Sequence, residues 1–232
     1  MKLGVLFSGG KDSTVALHKV AKNHTIACLI TIISKNKESY MFHTPNIDIT
    51  KMQAEALGIP VINSKTEGNP EEELKDLKEA LVTAIAEFKI VGIITGALAS
   101  VYQTQRIQRI CDELGIICIN PLWKKNQENL LREIVEEGYK VIISGIFAYP
   151  LTESWLGKEI NHEIIDQLVS LNKKFGLSIS GEGGEIETTV LDAPLFMKKI
   201  EIIDYCIRAK NNSGVYTISK ARLISKYSKK GK

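Results

Sequence analysis

LGVLFSGGKDSTVALHKV, residues 3–20, is the stretch that decides the fold. An apolar run, Leu3-Gly4-Val5-Leu6-Phe7, stops at Ser8-Gly9-Gly10-Lys11-Asp12-Ser13, and a helical pattern follows over residues 14–22. A strand, a glycine-rich turn and a helix start make an anion cradle, because the first N–H groups of a helix have no partner within it and its dipole is positive there. Gly9 and Gly10 permit positive φ and let backbone N–H groups come close to the anion. Lys11 adds a full charge, and the hydroxyls of Ser8 and Ser13 add short donors. The stretch is not a Walker loop, which requires GxxxxGK[ST]: Asp12 follows the lysine, and Val5 stands where the first glycine should be. The cradle is geared to a leaving pyrophosphate more than to one transferred γ-phosphoryl group. Asp12 beside it either caps the helix or holds Mg²⁺.

The alternation continues outward. Residues 26–33, rich in Ile and Leu, read as a strand buried on both faces. A helix is expected over 48–57, ended by Gly58, then a short strand at 60–63. The long helix expected at 71–88 carries Glu71, Glu72 and Glu73 in its first turn, where the dipole favours negative charge. A strand at 90–95, a helix at 100–114 ended by Gly115 and a strand at 116–120 close the series. This rhythm predicts an α/β protein with a doubly wound, Rossmann-like parallel sheet over residues 1–122. After Pro121-Leu122-Trp123 the rhythm changes, with Trp123 expected in the core. A helix at 127–137, a strand at 140–147 and a helix at 159–175 precede SGEGGEIETTVLDAP, residues 180–194, which reads as neither. Strands at 199–209 and 215–226 flank a turn at 211–214. Residues 123–232 are therefore expected to form a second, smaller α+β domain.

Composition narrows the class. Among 232 residues, 44% are hydrophobic and the net charge is +3, which describes a globular chain with no particular pull toward nucleic acid. Lys226, Lys229, Lys230 and Lys232 read as a solvated tail. Cys28, Cys111, Cys118 and Cys206 lie in apolar surroundings without paired spacing, so buried free thiols in a reducing compartment are expected rather than zinc or disulfides. Met1 leads straight into the first strand, so no signal peptide is expected, and no apolar run reaches the ~20 residues that span a bilayer. A cytoplasmic location without a membrane partner follows as an expectation.

SGGKDS, residues 8–13, matches the PP-loop of ATP pyrophosphatases in the adenine nucleotide α-hydrolase-like (HUP-type) superfamily. GEGGEIET, residues 181–188, resembles the GEGGE(Y/F)ET signature of the diphthine–ammonia ligase family, archaeal type. HTPN (43–46), QAEALGIP (53–60), GALASVYQTQR (96–106), PLW (121–123), SWLGK (154–158) and LDAPLF (191–196) agree with that resemblance along almost the whole chain. It departs at Ile186, where the family often has Tyr or Phe, and at Gln108, where a carboxylate is common. The resemblance implies ATP-dependent amidation of the diphthine carboxylate on elongation factor 2 by ammonia from solution. An acyl-adenylate would be the intermediate, with ATP and Mg²⁺ as cofactors and no nucleic-acid partner. Oligomeric state is left open, a homodimer included. The implied nucleotide-binding residues are Ser8, Gly9, Gly10, Lys11, Asp12, Ser13, His43, Gly96 and Gln103, with Asp12 as the Mg²⁺ candidate.

Lys11, Arg106, Glu182, Glu185 and Glu187 are the implied catalytic set. Three carboxylates crowded on one glycine-rich loop repel and call for a cation. That cation could be the trimethylammonio group of diphthine, aided by the aromatic faces of Trp155 and Tyr149, or Mg²⁺, or incoming ammonium; a solvated acidic turn is the plain alternative. Arg106 and Gln103 could steady the α-phosphate. A tRNA-modifying PP-loop enzyme would need a basic groove or CxxC cysteines that are absent here, and a non-catalytic adenine-nucleotide sensor would not need the second motif.

Overall fold

A computed structural model describes residues 1–36 and 45–226. The chain divides into two compact units, 1–50 with 59–126, and 51–58 with 127–232. Each has its own sheet.

The first unit is a five-stranded parallel sheet in the order β3-β2-β1-β4-β5. Its strands are β1 (Lys2–Leu6), β2 (Thr25–Ser34), β3 (Val61–Thr66), β4 (Gly92–Ile94) and β5 (Ile117–Ile119), and helices α1 (Lys11–Ala21), α3 (Pro70–Phe88) and α4 (Val101–Leu114) connect them. Leu3, Val5, Leu29, Ile30, Ile93 and Ile94 of the three central strands are essentially inaccessible, as sheets covered on both faces require. Leu77 and Leu81 of α3 and Ile107, Ile110 and Cys111 of α4 fill one side of the sheet. Glu73, expected to complement the α3 dipole from its first turn, is buried. The strand order reverses between β1 and β4, so the crevice where ligands bind in such sheets lies beyond the carboxyl ends of those two strands. The loops after β1 and β4 are residues 7–10 and 95–100.

The second unit is an antiparallel sheet in the order β7-β6-β9-β8 with helices α5 (Gln127–Glu136) and α6 (His162–Phe175). Its strands are β6 (Lys140–Ile146), β7 (Ile186–Asp192), β8 (Lys198–Lys210) and β9 (Ser213–Ser225). Leu130, Leu131 and Ile134 of α5 are fully buried, as are Val141, Ile143, Ile165 and Val190 of β6, α6 and β7. Helix α2 (Thr50–Leu57) groups with this unit although β3, in the other, follows it directly. The buried Gln53 amide donates to the Val190 carbonyl at 2.7 Å, and the Ala56 carbonyl accepts from Met197 N–H at 2.7 Å.

Several expectations are corrected here. Residues 186–192 are a strand, β7, whose alternation was hidden because Thr188, Thr189 and Val190 are all buried. α6 begins at His162, capped by the Asn161 side chain, and Glu159 instead bridges Ile142 of β6. Trp123 is only half-buried, and Leu122 takes the core position. Lys226 is no solvated lysine: its ammonium meets the Asp192 carboxylate and the Ala193 carbonyl, both at 2.6 Å, clipping the end of β9 to the end of β7. Cys28 and Cys111 are buried thiols, but Cys118 is half-buried and Cys206 is exposed.

Candidate active site

The SGGKDS motif is built on the β1–α1 turn of the first unit. Thr31 on β2 donates its hydroxyl to the Phe7 carbonyl at 2.8 Å, fixing the point where β1 gives way to the loop. Gly9 then adopts φ +77°, a left-handed conformation that side chains resist, and Gly10 returns to the extended region as the N-cap of α1. No side chain caps that helix. The first intrahelical bond begins at Thr14, whose N–H and hydroxyl both donate to the Gly10 carbonyl at 3.2 and 2.9 Å. Ser8 and Ser13 face each other across the loop with hydroxyls 3.2 Å apart. The result is a helix N-terminus dressed with two hydroxyls and without the carboxylate or serine cap that would fill it.

Lys11 is the cation at this terminus. Its side chain is only 4% exposed, and its ammonium donates to Asp12 Oδ2 at 2.8 Å. A buried ammonium requires such a counter-charge. The other carboxylate oxygen, Asp12 Oδ1, is buried and has no hydrogen-bond partner. That orphaned anionic oxygen beside a phosphate cradle fits Mg²⁺, which characteristically takes one or two carboxylates together with substrate phosphates. Among the described residues no three His, Cys, Asp or Glu side chains converge as a metal site, so Asp12 would share any such ion with phosphate oxygens.

Gly96 lies in the loop after β4 and bears on the cradle by proximity. A Cβ at this position would stand 2.7 Å from the Ser13 amide nitrogen and 2.8 Å from the Asp12 carbonyl carbon. Only a glycine lets this loop approach the first turn of α1. Next to it, Thr95 gives its hydroxyl to the Asn120 side chain and accepts from Ala97 N–H at 3.2 Å. Ser100 caps α4, accepting from Gln103 N–H at 3.3 Å. Gln103 thus sits in the first turn of α4, and Arg106 in the next, with its guanidinium 3.6 Å from the ring centroid of Tyr102. Gln108 donates to Asp112 on the same helix at 2.8 Å. His43 lies outside the described residues.

The acidic motif belongs to the second unit. Ser178 to Ile186 form two successive tight turns, with Gly181 N–H on the Ser178 carbonyl and Gly184 N–H on the Gly181 carbonyl. Gly181, at φ +79°, has the Ile186 carbonyl oxygen 2.5 Å from where a Cβ would be. Glu185 turns inward: its Oε1 accepts from Ser178 N–H at 3.2 Å and its Oε2 from Gly183 N–H at 2.8 Å. Both oxygens hold the loop's own backbone, which makes Glu185 a brace rather than an available base. Ile186 is buried. Glu187 lies on β7 opposite Gly145 of β6. Glu182 is half-buried between two glycines at the loop's turn.

The SWLGK segment runs along β6, with Ile143 N–H on the Lys158 carbonyl and Gly157 N–H on the Ile143 carbonyl. It therefore flanks the strand that also pairs with β7. Of the aromatic candidates, Trp155 is buried with the Lys158 ammonium 5.4 Å from its ring centroid. Tyr149 is exposed and packs edge-on against Phe175 with ring centroids 5.3 Å apart. Sequence reasoning missed Thr31, Thr95 and Asn120 in the first unit and Gln127 and Ser178 in the second. A lone hydroxyl within an apolar strand (Thr31) and polar residues just past strand ends (Thr95, Asn120) were the available signal in the first case; Gln127, a polar residue starting an amphipathic helix, gave none.

Comparison with known proteins adds independent findings. The diphthamide synthase N-terminal domain matches residues 1–118 and the diphthamide synthase C-terminal domain residues 126–224. A Schizosaccharomyces pombe protein named diphthine–ammonia ligase is 35% identical over 223 residues, covering 88% of this chain and 36% of that protein. A Rattus norvegicus protein of the same name is 34% identical over 222 residues, covering 87% of this chain and 83% of that protein. Among solved structures, a predicted subunit of tRNA methyltransferase from Methanocaldococcus jannaschii overlays with a TM-score of 0.44 at 20% identity, covering 84% of this chain and 98% of the other. No helix among the described residues is long and apolar enough to cross a membrane.

Proposed function

Because the chain belongs to the diphthamide synthase family, we propose that it converts the diphthine carboxylate of elongation factor 2 into the amide of diphthamide, consuming ATP and ammonia. The observation that carries this reading is the uncapped N-terminus of α1 with Lys11 buried in it. It is a site made for polyphosphate, in a chain whose second unit carries the family's acidic motif.

In the proposed reaction a diphthine carboxylate oxygen attacks the α-phosphorus of ATP, and the bond to the bridging α–β oxygen breaks, releasing pyrophosphate. Ammonia attacks the carbonyl carbon of the resulting acyl-adenylate, AMP leaves, and one proton is lost. Ser8, Gly9, Gly10, Lys11 and Ser13 hold the β and γ phosphates, and Lys11 exchanges part of its contact with Asp12 for the arriving negative charge. Asp12 Oδ1 would be the protein's ligand for Mg²⁺, which would supply charge neutralisation on the phosphates. Arg106 and Gln103, on the first turns of α4, serve the α-phosphate, holding it for attack by the carboxylate. Glu182 and Glu187 meet the trimethylammonio group or take the proton that ammonium must lose before its nitrogen can attack. Residues 1–122 act as the nucleotide half and 123–232 as the half that recognises the substrate.

The test is a product assay with the full chain, ATP, Mg²⁺, ammonium and elongation factor 2 arrested at diphthine. AMP formed in step with a mass decrease of about one dalton on the factor, the acid-to-amide change, supports the reading. ATP bound but neither AMP nor a mass change on the factor overturns it.

A further inference from the structure

We propose that Gln127, which no motif marks, is a positioning residue for the acidic loop and sets affinity for the cationic substrate through Glu182. The inference rests on the function proposed above and concerns how the second unit serves it.

Gln127 is the first residue of α5, and α5 is fixed by Leu130, Leu131 and Ile134, all fully buried. Its side-chain carbonyl reaches the acidic loop, more than fifty residues away in the chain, and accepts two hydrogen bonds there: from the Ser178 hydroxyl at 2.9 Å and from Ser180 N–H at 3.0 Å. The same Ser178 hydroxyl oxygen accepts from Glu182 N–H at 2.8 Å. A relay therefore runs from a rigid helix through one amide and one hydroxyl to the backbone of the glutamate at the loop's turn. Glu185 ties Ser178 and Gly183 to each other, which fixes the loop's shape. Gln127 ties that shaped loop to the core, which fixes its place.

The choice of side chain has a physical reason. Anchoring two donors requires an acceptor oxygen, and a carboxylate would accept them more strongly. It would also add a fourth negative charge to a segment that already holds Glu182, Glu185 and Glu187, raising the repulsion that the bound cation must offset. An amide supplies the acceptor without the charge. Side chains held by such outer contacts are what keep a binding constellation within the narrow tolerance that recognition needs.

The experiment uses the full chain and three variants, Gln127→Ala, Gln127→Glu and Ser178→Ala, after melting curves confirm that each is folded. Amide hydrogen exchange is read at Ser180 and Glu182, and KM is measured separately for diphthine-bearing elongation factor and for ATP. Gln127→Ala is expected to speed exchange at both amides and to raise KM for the factor about tenfold, the equivalent of one lost hydrogen bond, with KM for ATP unchanged. Ser178→Ala is expected to speed exchange at Glu182. Gln127→Glu keeps an acceptor oxygen and is expected to restore slow exchange. Parent-like exchange in Gln127→Ala, or fast exchange in Gln127→Glu, overturns the brace. An equal rise in both KM values, or none, overturns the role in substrate affinity. If the parent chain leaves the factor unmodified, the proposed function has failed, and the exchange arm still decides whether the brace exists.

Discussion

Gly96→Ala isolates how the loop after β4 supports the nucleotide cradle. The added methyl carbon would lie 2.7 Å from the Ser13 nitrogen, 2.8 Å from the Asp12 carbonyl carbon and 3.1 Å from Asp12 Cβ. Ordinary carbon contacts begin near ~3.5 Å, so relief requires a shift of roughly 0.7 Å between the β4 loop and the first turn of α1. Neither partner is the end of a flexible side chain, and overpacking of this kind costs about 1–3 kcal/mol. At the 2–4 °C per kcal/mol usual for chains of this size, the melting temperature should fall by roughly 2–12 °C. In the proposed reaction the displaced atoms carry N–H groups of the phosphate-binding turn. Losing one or two hydrogen bonds to a charged group, each worth ~1.5–3 kcal/mol, weakens ATP binding by at least about tenfold. The assay is calorimetric titration with ATP and Mg²⁺ beside a thermal melt. Gly115→Ala is the control: that glycine caps α4 at φ +66° with nothing within 4 Å of an added Cβ, so it should cost stability but not ATP affinity. Parent-like ATP affinity in Gly96→Ala, or an equal loss in Gly115→Ala, refutes the reasoning.

Three further outcomes follow from the same geometry. Lys11→Met removes the buried cation and leaves Asp12 Oδ2 without its partner; AMP formation should fall at least about 100-fold, measured under saturating ATP, because a charge-assisted contact to the leaving pyrophosphate is lost. Glu185→Gln replaces one of two accepting oxygens with a donor that must face an N–H; the acidic loop should lose about 1–3 kcal/mol of local stability, seen as faster amide exchange at Ser178 or Gly183, whereas a purely catalytic role would leave exchange unchanged. With a maleimide at pH 8, exposed Cys206 should react first and half-buried Cys118, whose thiol is lowered by the hydrogen bond from Cys111, next. Cys28, pushed up to about 11 by burial, and Cys111, raised by its hydrogen bond to Cys118 and by burial, should react only on unfolding, as intact-mass spectra would show.

The first unit was legible because its signals are local. A strand that must be covered on both faces is written as an uninterrupted apolar run, and a helix that follows a glycine turn announces its own anion site. The second unit hid more, and each failure has a cause. β7 carries Thr188 and Thr189 in buried positions, so the period-two alternation that marks a half-exposed strand is absent. Cys206 looked buried because isoleucines and a tyrosine surround it in sequence, yet β8 is an edge strand and leaves Ile203, Tyr205 and Cys206 exposed. The motif residues Lys11 and Asp12 were visible as chemistry, and Gly96 as part of a family motif. That Gly96 acts by close approach, and that Glu185 braces its own loop, are three-dimensional facts that spacing does not encode.

The two glycine-rich loops are made of similar parts and take opposite ligands in the proposed reaction. In the first, the extended Gly10 at the helix start accepts through its carbonyl, its own N–H makes a long 3.4 Å contact to the Ser8 hydroxyl, and Gly10 offers α1 no side-chain cap. Anions are drawn to such a terminus, and Lys11 reinforces the sign. In the second, the N–H groups of Ser178, Ser180, Glu182 and Gly183 all donate to side chains of their own unit: the Glu185 carboxylate, the Gln127 amide and the Ser178 hydroxyl. A loop whose donors are spent inward has no cradle left for phosphate, and the carboxylates of Glu182 and Glu187 give it a negative field. Glycine content is therefore a poor guide to what such a loop binds. The destination of its backbone N–H groups decides the sign of the ligand, which is why the proposed reaction gives polyphosphate to the β1–α1 turn and a cation to the GEGGE turn.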